Sequence, residues 1–226
     1  MADAATMPVR LIGLGEVVEA CDRVARALLD ADVEVDTVVA IARGGFMPAR
    51  FLCDFLDISR LLSIQIGHYE AGAQSAGEAT VEHPLGGDVS GRRVLLVDDV
   101  NDSGDTLQAA LAYLRDQSPA GLHSAVLHEK SNTRCRADFK AEVMREWRWV
   151  LYPWAVVEDA GQFIRDMDPV PDTRQAIHDA LRERHELVLD PSQLDRVLRY
   201  NRLAVDDSLA ATDPDPPRQR QTDANR

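Results

Sequence analysis

Val17, Val18, Cys21, Val24, Ala25, Leu28 and Leu29 recur every three or four positions, and this spacing predicts an amphipathic helix over residues 15–30. The pattern then changes. Thr37 to Ile41 is a short unbroken apolar run, the signature of a parallel strand buried on both faces. A helix is expected from Phe46 to Leu56 and a strand from Leu61 to Ile66. Residues 67–90 are rich in glycine, alanine and polar side chains and read as one long loop, a length that in a compact domain points to function. A strand at 94–98, a helix at 105–116, a strand at 122–128 and a β-like stretch at 147–154 follow. Past Asp159 two helices are expected, at 172–185 and 191–201. The second is opened by Asp190-Pro191-Ser192, a capping residue with proline in the first turn.

Strands alternating with helices place the chain in the α/β class, with a parallel sheet, helices on both faces and right-handed crossovers. In such sheets ligands bind beyond the carboxyl ends of the strands. The plan is a main domain over residues 1–160, a small helical C-terminal extension over 161–203, and a disordered tail over 204–226, whose end reads DPDPPRQRQTDANR.

Composition narrows the classes of function. The 226 residues are 45% hydrophobic, enough for one sizeable core. No apolar stretch is long enough to span a bilayer, and MADAATMPVR has no signal-peptide core. Cys21, Cys53 and Cys135 form neither a disulfide framework nor a CxxC pair, so a cytoplasmic location is expected. A formal charge of −13 argues against nucleic acid and anionic membrane as partners. It also demands a locally positive or dipole-rich pocket for any phosphorylated ligand.

Such a pocket can be read after the third strand. Asp98 and Asp99 end an apolar run and are followed, after Val100, by Asn101-Asp102-Ser103-Gly104-Asp105-Thr106. Ser103, Gly104 and Thr106 precede a helix, where free N–H groups and the helix dipole favour a phosphate. Two carboxylates instead suit a sugar's vicinal hydroxyls or a magnesium ion. A ribose carrying a 5-phosphate satisfies both halves. An ordinary strand-to-helix turn with an aspartate cap would not need this density of polar groups. Neither a GK[ST] phosphate loop nor a GxGxxG fingerprint is present.

VLLVDDVNDSGDTL, residues 94–107, resembles the 5-phosphoribosyl-1-pyrophosphate (PRPP) signature of the type I phosphoribosyltransferases. The resemblance covers residues 10–160 and implies that Asp98 and Asp99 hold the ribose hydroxyls and Mg2+. Asp102, Ser103, Gly104, Asp105 and Thr106 would cradle the 5-phosphate. Ala42-Arg43-Gly44-Gly45, one strand–helix unit earlier, resembles the family's pyrophosphate loop, with a strained peptide bond expected at Ala42–Arg43 or its neighbours. Residues 67–90 would be the flexible loop that closes over the reacting centre. His68-Tyr69 stands there where members often carry Ser-Tyr.

The purine branch of the family implies the rest. Lys130 would donate to the six-position oxygen of the base. Trp149 to Trp154 resembles the branch's W-x-x-x-P-W segment, with Trp149 stacking on the purine and Val150 at the ring edge. Ala155 stands where an acidic residue is common, which leaves the choice among guanine, xanthine and hypoxanthine open. The implied reaction is purine salvage: the 5-phosphoribosyl group of PRPP passes to N9 of a six-oxopurine with release of pyrophosphate, and Asp102 is the catalytic candidate. A PRPP-sensing regulator without turnover and a transferase for another base are the alternatives. Family analogy suggests a homodimer.

Overall fold

The computed structural model describes residues 7–68 and 79–205. Residues 69–78 of the expected flexible loop, Tyr69 among them, and nearly all of the expected tail lie outside the described residues. The chain opens with a short strand, Val9–Leu11 (β1), and the first expected helix follows as Leu14–Asp30 (α1), burying Val17, Ala20, Cys21, Val24, Ala25 and Leu28 along one stripe. Thr37–Ala42 (β2), Phe46–Phe55 (α2) and Leu61–His68 (β3) come next. Ala79–His83 (β4) is a strand inside the stretch that reads as a loop, and it pairs antiparallel with β3. Arg93–Asn101 (β5), Asp105–Asp116 (α3), Gly121–Lys130 (β6), Phe139–Met144 (β7) and Trp149–Leu151 (β8) complete this part of the chain.

The main sheet runs in the order β4-β3-β2-β5-β6-β7, parallel throughout except for β4 at one edge. Side chains alternate across it. Val38, Ala40, Leu95, Val97, Ala125 and Leu127 join the apolar faces of α1 and α2, whereas Val39, Ile41, Val94, Leu96 and Val126 join that of α3. Helices on both faces explain why β2 and β5 are continuous apolar runs rather than alternating ones. β1 and β8 form a separate parallel pair, with Val9 opposite Trp149. Asp98 and Asp99 thus end the buried core of β5, near the centre of the sheet.

Residues 7–154 form one compact unit and the chain from Ala155 onward contributes to another. The second contains a helix that periodicity did not single out, Val156–Arg165 (α4), besides the two expected ones, Arg174–His185 (α5) and Pro191–Asn201 (α6). In α6 the Gln193 N–H donates to Asp190 Oδ1 (2.8 Å) and the Asp190 N–H to Gln193 Oε1 (2.9 Å), a reciprocal cap. α4 meets α6 at Gly161, where a Cβ would lie 2.2 Å from Asn201 Cγ, and Asn201 Nδ2 donates to the Val157 carbonyl (2.7 Å). Among the described residues no helix is long and apolar enough to cross a membrane.

Candidate active site

The β5–α3 connection is shaped by its glycine. Gly104 caps α3 with φ +96°, a left-handed conformation open to glycine, and offers no side chain to the first helical turn. A Cβ there would lie 2.5 Å from the Cys135 backbone nitrogen and 2.7 Å from Thr133 Oγ1. Asp98, Asn101, Asp102, Ser103, Gly104 and Thr106 line a pocket of about 160 Å³ with Leu107 and Val126. The Asp105 carboxylate is occupied by Ser103 Oγ (2.9 Å) and by the Arg134 guanidinium (3.2 Å).

A buried carboxylate supports this loop from below. Glu129 is fully buried at the end of β6. Burial alone would raise its carboxyl, but the Ala137 N–H (2.7 Å), Arg136 (3.0 Å), Asn101 Nδ2 (3.1 Å) and Lys140 (3.6 Å) hold it below the usual range. Asn101 also donates to the Cys135 carbonyl (2.7 Å), and the Arg134 N–H donates to the Ser103 carbonyl (2.9 Å). Residues 131–138 are therefore a prop for the phosphate-loop candidate. Sequence reasoning missed Glu129 and Asn101, because their partners lie 28 residues apart.

The vicinal carboxylates sit against the second glycine loop. A Cβ on Gly44 would come within 2.4 Å of Asp99 Oδ2 and 2.5 Å of its Cγ, and one on Gly45 within 2.4 Å of the Val97 carbonyl. No residue larger than glycine fits this approach. The Ala42–Arg43 peptide bond at the end of β2 is cis. Burial, then the like charge of Asp99, push the Asp98 carboxyl well above its ordinary value. Burial also raises Asp99, against the opposing Trp154 and Val100 N–H donors.

Two adjacent carboxylates held at such a cost fit a hard divalent cation such as Mg2+, whose charge would return both to the ionised form. Among the described residues no group of three or more His, Cys, Asp or Glu side chains could hold a metal alone. The donor set therefore fits Mg2+ shared with a phosphorylated substrate, which is the usual mode for that ion.

Of the residues expected to meet a base, Lys130 ends β6, is only 2% exposed, and donates from Nζ to the Arg148 carbonyl. Its ammonium lies 5.4 Å from the Trp147 ring centroid. Burial lowers its pKa, and the charge of Asp102 pulls it back up. Trp149 is 39% exposed and its backbone N–H donates to the Pro8 carbonyl (2.9 Å); Val150 beside it is buried. His68 ends β3 opposite Ala79.

A chain of aromatic side chains links β8 to the carboxylates. Tyr152 Oη donates to the Asp99 carbonyl (2.7 Å) and lies 2.7 Å from His128 Nδ1, so that nitrogen carries the proton. His128 Nε2 is 3.8 Å from Glu142, which is paired with Arg10 on β1. Burial first, then the charge of Arg10, depress His128 to about 4, against an ordinary value of 6.5. The unfolded chain binds this proton below pH 6.5 and the folded one only near 4, so stability is lost as pH falls through that window. The loss is roughly 3 kcal/mol. In His128→Gln the acid limb of unfolding free energy between pH 7 and 4 flattens by that order, as urea titrations at each pH measure.

Comparison with known proteins agrees with this geometry. The profile of the phosphoribosyl transferase domain matches residues 14–159. The xanthine-guanine phosphoribosyltransferase of Desulfotalea psychrophila is 34% identical over 128 residues, which are 56% of this chain and 74% of that protein. The hypoxanthine-guanine phosphoribosyltransferase of Aquifex aeolicus is 32% identical over 109 residues, 46% of this chain and 59% of that one. Among solved structures, the purine phosphoribosyltransferase of Pyrococcus horikoshii superposes with a TM-score of 0.58 at 28% identity, covering 66% of this chain and 94% of its own. With a family match spanning well over half of its length, two glycine loops and a vicinal carboxylate pair at the strand ends, the chain belongs to the phosphoribosyl transferase domain family.

Proposed function

We propose that the chain transfers the 5-phosphoribosyl group of PRPP to N9 of a six-oxopurine, releasing pyrophosphate. Family membership makes it a pentosyltransferase in class, and the purine names of its relatives support the choice of base. The observation that carries the reading is the packing of Gly44 on the Asp99 carboxylate, one residue from Asp98 and beside the Gly104-capped pocket. One ligand with hydroxyls between a phosphate and a pyrophosphate matches that spacing of groups.

In the reaction the C1–pyrophosphate oxygen bond breaks and the N9–C1 bond forms, with positive charge developing on the ribose ring. Asp98 and Asp99 accept from the ribose hydroxyls and would hold Mg2+, while the backbone N–H groups from Ser103 through Asp105 to Thr106, with the Ser103 and Thr106 hydroxyls, hold the 5-phosphate. Ala42 to Gly45 wrap the pyrophosphate, whose charge Arg43 offsets. Mg2+, when bound, supplies further positive charge to the departing group. Lys130 donates to the six-position oxygen, Trp149 stacks on the ring, and Val150 contacts its edge through the backbone. Asp102 hydrogen-bonds N7 and assists the proton on the base. His68 and Tyr69 begin the loop that excludes water. The enzyme acts in the cytoplasm as a homodimer.

An endpoint assay with PRPP and Mg2+, offering guanine, xanthine, hypoxanthine, adenine and orotate separately, tests this reading. Nucleotide product is expected with at least one of the first three. Product with adenine or orotate alone overturns the base class, and PRPP binding without product on any base makes the protein a sensor.

A further inference from the structure

The W-x-x-x-P-W segment ends on Trp154, a residue the proposed chemistry leaves without a task. Its indole Nε1 donates to Asp99 Oδ2 at 3.1 Å. The other carboxylate oxygen, Oδ1, accepts the Val100 N–H at 2.8 Å. Each oxygen of Asp99 is thus tied by one N–H and keeps one further acceptor direction. The ring of Trp154 stacks flat on Tyr152, with centroids 4.7 Å apart and planes 6° from parallel. Tyr152 in turn donates to the carbonyl of the same aspartate and is held by the buried His128.

We propose that Trp154 is a positioning residue, whose indole N–H sets the rotamer of Asp99 in which that carboxylate meets the ribose hydroxyls and the cation. The inference rests on the phosphoribosyl-transfer reading of the site. A carboxylate flanked by Asp98 and by the Gly44 backbone has reason to turn away from its like charge, and Val100 restrains only one of its oxygens. The indole supplies the second restraint, from a segment 55 residues further along the chain. The stack on Tyr152 orients the indole, so the ring pair clamps both the side chain and the backbone of Asp99. The same segment carries Trp149 and Val150, which makes Trp154 a covalently short link between the base side and the ribose side.

Trp154→Phe keeps an aromatic ring for the stack and removes the N–H. Calorimetric titration of the full chain with PRPP and Mg2+, without base, is expected to show roughly tenfold weaker binding, the scale of one hydrogen bond to a charged acceptor. The KM for the purine is expected to move less than about twofold, since the interactions proposed for Trp149 and Lys130 remain. In an Asp99→Ala background, which has no acceptor for the indole, the same substitution is expected to add no further loss. Unchanged PRPP affinity in the single variant overturns the proposal, as does a full additional loss in the double variant. If Trp154→Phe does not fold, benzothienylalanine incorporated at position 154 keeps the full bicyclic ring and removes only the N–H, and the same loss of PRPP affinity is expected; unchanged affinity there overturns the proposal equally. Wild-type protein that binds no PRPP overturns the phosphoribosyl reading itself, a result distinct from either.

Discussion

Replacement of Asp102 by alanine is expected to lower kcat on the order of 10²–10⁴-fold, the usual scale for loss of a general acid–base group. The dissociation constant of PRPP with Mg2+ should stay within about twofold, since a phosphate cradle built of backbone N–H groups survives the loss of one side chain. Asp102 lines the same pocket as Ser103, Gly104 and Thr106. Unlike Asp105, it is the carboxylate whose charge reaches Lys130. In the proposed reading Asp102 would stand between the residues assigned to the phosphate and Lys130, assigned to the base, a place from which a carboxylate could reach a purine nitrogen. Steady-state kinetics with calorimetry on the same variant separates the two roles. Equal losses in kcat and in PRPP affinity would make Asp102 a phosphate-loop residue and nothing more.

What could be read from the chain beforehand, and what could not, divides along sequence separation. The Asp98 to Thr106 loop is contiguous, so its chemistry is visible in one short stretch, and the helices α1 and α3 announce themselves by spacing alone. β4 was hidden because it is an edge strand of five residues, largely exposed, inside glycine-rich sequence. Its alternation is confined to Ala79 and Val81, both only half-buried, between Thr80, Glu82 and His83, which is too short a stretch to stand out. β7 has the alternation, with Phe139 and Ala141 packed on the core, but is only six residues long. α4 begins directly after Trp154, and its Gly161 dilutes a helical pattern whose reason is the close approach of Asn201. The support of the site is the least legible part. Glu129 with Asn101, Trp154 with Asp99 and His128 with Tyr152 are pairs that only the fold brings together.

Asp98→Asn is expected to abolish most of the activity and at the same time to stabilise the free protein. The carboxyl of Asp98 is pushed up by burial and by Asp99, so its folded pKa lies above its unfolded one. A group shifted in that sense contributes stability below the unfolded pKa and loses it as pH rises through the folded pKa. At neutral pH the buried, like-charged Asp98 carboxylate is therefore a cost to the fold of the protein without ligand. The amide removes the charge and can still accept the Asp99 N–H, which now reaches Asp98 Oδ1 at 2.9 Å. Each kcal/mol so relieved raises Tm by about 2–4 °C in a chain of this size. Turnover, by contrast, should fall on the order of 10²-fold or more, because the cation and the ribose lose a charged acceptor. Thermal unfolding of both proteins from pH 7 to pH 4 checks the cause: the gap in Tm should narrow as acid protonates the wild-type carboxyl. With PRPP and Mg2+ present the order should reverse, since tighter binding stabilises the wild type by mass action. A variant that is less stable than wild type at neutral pH, without ligand, would mean that Asp98 supports the fold through its charge, and that the carboxylate pair is not held ready for a cation.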